Sequence, residues 1–467
     1  MLFQSIDFLI YLVITFIFYW SLPFKYKKIF LVLVSYFFYS YIHQWFFFLL
    51  FTQTTISFFV GILLTKTSNQ KKKIFVAGIL SNLVFLLFFK YFNFFIENIN
   101  AVIKMSGISF QLLTLEIILP IGISFYTFQN IGYLIDVYRG DFEPTKNFID
   151  YNLFISFFPK LIAGPIERAG NFLNQITIPR IPQFDKFIAG FQLILWGFFK
   201  KIVIADNIAV IVNKIFLLKD PDFFIVSAGA FAFTIQIFAD FSGYTDIARG
   251  IAKLFGFDLL KNFDKPYLAK SPSDFWRRWH MSLSEWIRDY IYIPLGGSRV
   301  STSRWVVNLF ITFFIVGLWH GASWNYIIWG LYYWVLYLIY RFFKTFFNYK
   351  IFKTKYNYLV SIPFMFLLTN IGWLMFREVD INYLLQYLYL NPFKSSLNNI
   401  NASIYLFIFV SMYTLPLVIL PYVNKIIQNI KINNYATFVK YASMLILLIS
   451  ILLLKSDSSG DFIYFQF

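Results

Sequence analysis

Trp319-His320 closes an apolar run that begins at Trp305. The residues Asn308-Leu309-Phe310-Ile311-Thr312-Phe313-Phe314-Ile315-Val316-Gly317-Leu318 before it carry no charge. Gly321-Ala322-Ser323-Trp324 after it opens a second long apolar run. An imidazole at such depth is costly to place, and an ionisable residue inside a membrane span is a functional candidate by default. Neutral imidazole, with an ordinary pKa of about 6.5, takes a proton from an attacking hydroxyl and returns one to a leaving group. The plainer alternative is a histidine that satisfies a helix carbonyl or lies against a tryptophan face. The chain has 3 histidines, His43, His280 and His320, so a buried one is informative.

His280 lies in an Arg- and Trp-rich stretch, as Trp276-Arg277-Arg278-Trp279-His280. It is a candidate to orient a ligand or to pair with Asp274 or Glu285, or else an interfacial histidine. His43, in Tyr41-Ile42-His43-Gln44-Trp45, reads as interfacial. Asp240 and Asp246 flank Phe241-Ser242-Gly243-Tyr244-Thr245 at a predicted span end. They are candidates to hold Arg277 or Arg278, or to cap a short helix. Arg277, Arg278, Arg288 and Arg299 suit the phosphates of a nucleotide-like donor, and equally lipid headgroups. The C-terminus runs from a flexible polar stretch, Ser456-Asp457-Ser458-Ser459-Gly460-Asp461, into Phe462-Ile463-Tyr464-Phe465-Gln466-Phe467. It can dock in a groove or at the interface, or offer the Tyr464 hydroxyl inside an outward-facing cavity.

Composition defines the frame that positions these groups. The chain has 467 residues, is 59% hydrophobic and 13% charged, and contains 64 phenylalanines. Its mean hydropathy is +0.65. Soluble domains are roughly half apolar and about a quarter charged, so this is a polytopic membrane protein. The net charge of +17 is accounted for by basic loops held on the cytoplasmic side, not by nucleic acid. With no cysteine, the chain has no disulfide, thiolate metal site or cysteine nucleophile, and no metal is expected. Residues 1–20 read as a retained first span, not a cleaved signal.

About twelve segments are long and apolar enough to cross a bilayer: roughly 5–23, 29–44, 45–64, 74–92, 111–133, 186–205, 223–240, 305–320, 323–340, 357–376, 402–423 and 437–454. Lysine and arginine crowd alternate loops, which places both termini outside. Two stretches are neither spans nor ordinary loops: 151–182, apolar but broken by Pro and Gly, and 240–304, polar and rich in Arg and Trp. Irregular backbone at membrane depth survives where protein buries it or it lines a wet cavity. Both therefore read as re-entrant or interfacial cavity walls. The expected fold is an all-α polytopic bundle forming one integral membrane domain over 1–467, with core motifs at 120–330 and an outward-facing tail at 455–467. The absence of an internal repeat weighs against a secondary transporter.

Several of these segments carry a resemblance. Asp274-Phe275-Trp276-Arg277-Arg278-Trp279-His280-Met281-Ser282-Leu283, Arg288-Asp289-Tyr290-Ile291-Tyr292-Ile293-Pro294-Leu295-Gly296-Gly297 and Trp319-His320-Gly321-Ala322, with Trp324 and Trp329-Gly330, closely resemble the membrane-bound O-acyltransferases (MBOAT). Phe158-Pro159-Lys160-Leu161-Ile162-Ala163-Gly164-Pro165-Ile166 and Phe238-Ala239-Asp240-Phe241-Ser242-Gly243-Tyr244-Thr245-Asp246-Ile247-Ala248 fit one subgroup. Its members O-acetylate alginate and peptidoglycan and transfer D-alanine to teichoic acid; length and tail agree with the alginate-type branch. The resemblance implies a central tunnel through the bilayer with His320 as its active-site histidine and His280 as the second family histidine. It also implies an acyl donor arriving from the cytoplasm and an acceptor outside. The tail is similar to the end of the small partner protein of the D-alanyl transferases, whose terminal tyrosine accepts the acyl group; Tyr464 takes that place here.

The expected function is acetyl export by a bacterial inner-membrane O-acyltransferase. Acetyl-CoA or an acylated carrier is the expected donor substrate, held near Arg277, Arg278 and Arg288, with no bound cofactor. His320 and His280 are the catalytic candidates, Tyr464 the acyl relay, and Asp240, Asp246 and Trp319 their structural support. The expected partners are membrane lipid, a polysaccharide acceptor (an alginate-like exopolysaccharide or peptidoglycan) and a periplasmic SGNH-hydrolase-like acetyltransferase. D-alanyl transfer to teichoic acid is the alternative within the family. A proton-coupled transporter or flippase, with His320 as its relay, is the alternative outside it.

Overall fold

The computed structural model describes residues 1, 3–66, 69–218, 220, 222–346, 357–429, 434–456 and 462–463. Helices dominate the described residues, and all twelve predicted apolar segments coincide wholly or partly with a helix. Among the described residues seven helical stretches, against the roughly twelve expected, are long and apolar enough to cross a bilayer, among them Phe46–Lys66, Lys71–Met105, Phe184–Ile215, Phe223–Leu254 and Thr302–His320; Ile6–Ser21 and Tyr441–Leu453 are shorter apolar helices. The chain is a multi-pass membrane protein.

Two of the boundaries that differ from the sequence reading bear on the fold around the candidate residues. The predicted segment 111–133 is helical from Ile123 onward, and residues 108–120 are irregular. Gly122 stands at the helix N-cap with φ of +80°, a left-handed conformation that glycine adopts without steric cost. At 223–240 the helix does not stop at Asp240 but continues to Leu254. Asp240 and Asp246 therefore sit inside a helix and cap nothing. They are tolerated there because side chains from another helix neutralise them, as described below.

The chain divides into two compact units. The first comprises Met1–Gly190, Ala248–Lys261 and Glu285–Leu295. Its helices Phe46–Lys66, Lys71–Leu86 and Ile123–Arg139 are joined by buried polar groups. Gln53 Nε2 donates to Asn82 Oδ1 at 2.8 Å and to Thr127 Oγ1 at 2.9 Å. The Trp286 indole stacks on Phe128 at 3.9 Å and donates to the Phe128 carbonyl at 2.9 Å. The stretch 151–182 forms short helices, including Phe158–Leu161 and Ala169–Thr177, with Lys160 and Glu167 completely buried. The stretch is folded and largely buried, not a solvated loop.

The second unit comprises Phe191–Ile247, Asn262–Ser284 and Gly296–Phe467. Two close helix crossings organise it. In the first, a Cβ at Gly197 would stand 2.6 Å from the Gly243 carbonyl. In the second, Thr302–His320 packs against Trp324–Phe346. There a Cβ at Gly317 would stand 2.4 Å from the Tyr326 carbonyl, and one at Gly330 2.3 Å from the Phe313 carbonyl. Small residues at a crossing let helix backbones approach where no hydrophobic effect drives association. Gly330→Ala is expected to overpack this crossing at a cost of about 1–3 kcal/mol, lowering the melting temperature in detergent. A variant that melts with the wild type would show that the hairpin has room to spare.

Candidate active site

The second glycine crossing sets the position of His320. It is the last residue of Thr302–His320, and the backbone turns extended at Gly321, with φ of −167°. A Cβ at Gly321 would meet the Tyr326 ring at 2.2 Å, so the chain re-enters the next helix against that ring. The imidazole is 2% exposed. Trp319, Trp329 and Phe376 surround it edge-on, with ring centroids 4.9, 4.9 and 5.2 Å away. Asn325 Nδ2 donates to the Phe376 carbonyl at 3.3 Å, tying the wall from the helix Asn357–Arg377 to the helix that starts at Trp324. His320 faces protein rather than lipid.

His280 reaches the same neighbourhood from a different element. Ser271 caps the short helix Pro272–Trp276, its hydroxyl accepting from the Asp274 amide at 3.2 Å. The chain then turns sharply, and His280 adopts φ of +41°, a conformation uncommon for a residue with a side chain. Asn262 holds it there. Its carbonyl accepts from the Met281 amide at 2.9 Å, and its Oδ1 accepts from the Ser282 hydroxyl at 2.6 Å. The His280 ring is wholly buried, 5.6 Å from Trp319 and 4.8 Å from Phe241. Trp319 thus separates the two histidines and contacts both. Asp274 is taken by Arg278 at 3.0 Å, so the suggested His280–Asp274 pair does not form.

The carboxylates Asp240 and Asp246 also differ from expectation in their partners. Asp246 pairs with Lys200 at 2.7 Å, and Lys200 Nζ donates to Ser242 Oγ at 2.9 Å. Asp240 pairs with Lys201 at 2.9 Å, and Lys201 also pairs with Asp206 at 2.8 Å. Neither carboxylate holds Arg277 or Arg278. Those arginines sit three and four residues after Asp274 and pair with it, at 3.6 and 3.0 Å. Arg277 remains largely exposed, and Arg278 also donates to the Asp264 carbonyl at 3.3 Å. Arg288 belongs to the first unit and binds Asp289 at 2.6 Å. Tyr464 lies outside the described residues. His43 is exposed beside Trp45 and Phe46, as an interfacial residue would be.

Sequence reasoning missed Lys200, Lys201 and Asp206. Lys200 and Lys201 carried the same signal as His320, ionisable groups inside a predicted span, and Asp206 lies one residue past its end. A π-helical turn, Phe199–Ala205, presents the two lysines, and such turns recur at functional positions. Docking of the C-terminal segment is one of the expectations above, but its partners are not legible in the sequence. Phe462 stacks on Tyr244 at 4.1 Å and lies 5.9 Å from Phe241. The Ile463 amide donates to Asp240 Oδ2 at 2.7 Å. Among the described residues, no group of three His, Asp or Glu side chains is placed to hold a metal ion.

Burial disfavours the imidazolium of His280 and pulls its pKa from 6.5 down to about 3. Within that window the unfolded chain binds a proton that the folded chain excludes, so stability falls as pH drops through it. Acidification from pH 7 to pH 5 is expected to remove up to about 2 kcal/mol through this group. His280→Gln should lose that share, read as a smaller shift in melting temperature between the two pH values. Identical shifts in both proteins would refute the assignment.

The profile of the MBOAT, membrane-bound O-acyltransferase family matches residues 144–386. A probable alginate O-acetylase AlgI of Azotobacter vinelandii is 38% identical over 368 residues, covering 78% of this chain and 72% of that protein. The peptidoglycan O-acetyltransferase of Helicobacter pylori is 32% identical over 492 residues, covering 95% of this chain and 92% of its own. The teichoic acid D-alanyltransferase of Bacillus subtilis is 31% identical over 239 residues, covering 48% and 59%. The matched region contains both buried histidines and the carboxylates paired with Lys200 and Lys201. The chain therefore belongs to the membrane-bound O-acyltransferases and is a multi-pass membrane O-acyltransferase.

Proposed function

We propose that this protein, in a bacterial inner membrane, moves acetyl groups from a cytoplasmic donor to an extracytoplasmic polysaccharide, an alginate-like polymer or peptidoglycan. The observation that carries this reading is the placement of His320. It is a buried imidazole at the end of a spanning helix, walled by Trp319, Trp329 and Phe376, in the unit that also seats the C-terminal segment. The chain covers nearly the full length of a peptidoglycan O-acetyltransferase and most of an alginate O-acetylase, which supports acetyl over D-alanyl as the group moved.

In this reading the donor is an acetyl thioester, acetyl-CoA or an acylated carrier. Arg277 and Arg278 of the second unit are groups for its phosphates, and Arg277 is the more exposed of the two; Arg288 of the first unit is a separate candidate. An acceptor hydroxyl attacks the thioester carbonyl while His320 takes its proton. The C–S bond then breaks, and the thiolate leaves with that proton. The Trp329 indole N–H is buried and has no hydrogen-bond partner among the described residues. It is available to the carbonyl oxygen as negative charge grows there. His280, across Trp319, supports the same wall. A water-excluding aromatic site strengthens each of these contacts and protects the ester from hydrolysis.

The acceptor hydroxyl is assigned to Tyr464. Its phenol oxygen takes the acetyl group as an aryl ester, and a polysaccharide hydroxyl displaces it, assisted by a periplasmic SGNH-hydrolase-like partner. His320→Ala is expected to lower polymer acetylation in cells by about a hundredfold or more at normal protein level. Unchanged ester content would end the catalytic reading and favour a transport role. Tyr464→Phe should abolish transfer with folding intact; persistent acetylation would reduce the tail to an anchor.

A further inference from the structure

The C-terminal segment is held by more than aromatic packing. Among the described residues, Lys200 and Lys201 face three carboxylates, Asp206, Asp240 and Asp246. All but Asp246 are at least nine-tenths buried. Lys201 Nζ divides its charge between Asp206 and Asp240, approaching Asp240 through Oδ1. The second oxygen, Oδ2, receives the Ile463 amide at 2.7 Å. A carboxylate buried at this depth needs its lone pairs satisfied. Lys201 takes Asp240 Oδ1, and the tail amide supplies a donor to Oδ2.

Two further contacts flank this bond. Phe462 stacks on Tyr244, one helical turn after Asp240. At the other end of the segment, Asn207 Nδ2, next to Asp206, donates to the Leu454 carbonyl at 2.9 Å. Phe462 and Ile463 are buried. Phe241 touches both Phe462 and His280, so the seat adjoins the wall of the candidate site.

We propose that Asp240, oriented by Lys201 and Asp206, is the clamp that seats the C-terminal segment, fixing its register by accepting the backbone amide of Ile463. Asp240 is thus a positioning residue that acts through the tail. The proposal rests on the transferase reading only for its consequence, that a seated tail is needed for transfer; the clamp itself is independent of it. Because the clamp accepts a backbone group, it makes no demand on the side chain of Tyr464, which follows Ile463 directly in sequence.

The chain has no cysteine, so an engineered pair reports seating without background. Full-length protein carrying Tyr244→Cys and Phe462→Cys is oxidised in detergent and the rate of disulfide formation is measured. Ile463→Pro deletes the donated N–H along with the buried side chain; Ile463→Ala, which trims that side chain and keeps the N–H, is its control and is expected to cross-link faster than Ile463→Pro. Asp240→Leu deletes the acceptor, and Asp240→Asn keeps an acceptor oxygen without the charge. Ile463→Pro and Asp240→Leu are expected to slow cross-linking at least tenfold, with Asp240→Asn in between. In the otherwise native chain the same order should appear in polymer acetylation. His320→Ala should leave cross-linking at the parent rate while abolishing acetylation. Should Asp240→Leu fail to fold, Ile463→Pro decides alone. Cross-linking at the parent rate in Ile463→Pro would overturn the clamp. Acetylation retained in His320→Ala would overturn the transferase reading and leave the clamp standing.

Discussion

An ammonium group buried in a helical span is costly, and carboxylates against it offset that cost. Lys201, 2% exposed between Asp206 and Asp240, is the clearest case in this protein. Breaking such a pair leaves an uncompensated charge, at a typical cost of about 3–5 kcal/mol. That constraint locks the turn Phe199–Ala205 to the helix Phe223–Leu254, and the glycine contact between Gly197 and Gly243 makes the approach sterically possible. The same helix then presents Tyr244 and the free edge of Asp240 to the C-terminal segment. Charge pairing, helix crossing and tail seating are consequences of one arrangement.

The wall around His320 follows a different logic. The rings directly on the imidazole meet it edge to face, where the quadrupoles of neighbouring rings are complementary. Trp329 links His320 to Trp373, with centroids 4.9 and 5.8 Å away, and Trp373 continues to Trp279, 4.6 Å away and next in sequence to His280. Such rings give a rigid surface without adding charge. The contrast with the lysine cluster is useful: one region concentrates charge and fixes backbone, the other excludes water and holds a single base.

Much of this was legible in the chain. His320 stood out because a lone imidazole in an uncharged run has few structural excuses. The all-helical architecture followed from hydropathy, and the MBOAT resemblance from motifs around both histidines. Other features were not legible. Asp240 and Asp246 looked like helix-end residues because Ser242 and Gly243 between them mimic a break. The helix passes through because Lys200 and Lys201 neutralise it from the side. Arg277 and Arg278 looked like partners for those aspartates, but Asp274 is nearer along the chain and captures both.

What the sequence by itself determined was local: which segments prefer hydrocarbon, which residues can exchange a proton, and which family the chain joins. These depend on residue type and near neighbours. Which charge meets which, and where the final residues rest, only the tertiary structure decided. Lys201 and Asp240 pair across two helices, and the Ile463 amide binds a carboxylate on a helix far upstream in the chain. A backbone amide carries no sequence signature, and Coulomb attraction acts on distance in space, which residue spacing does not report.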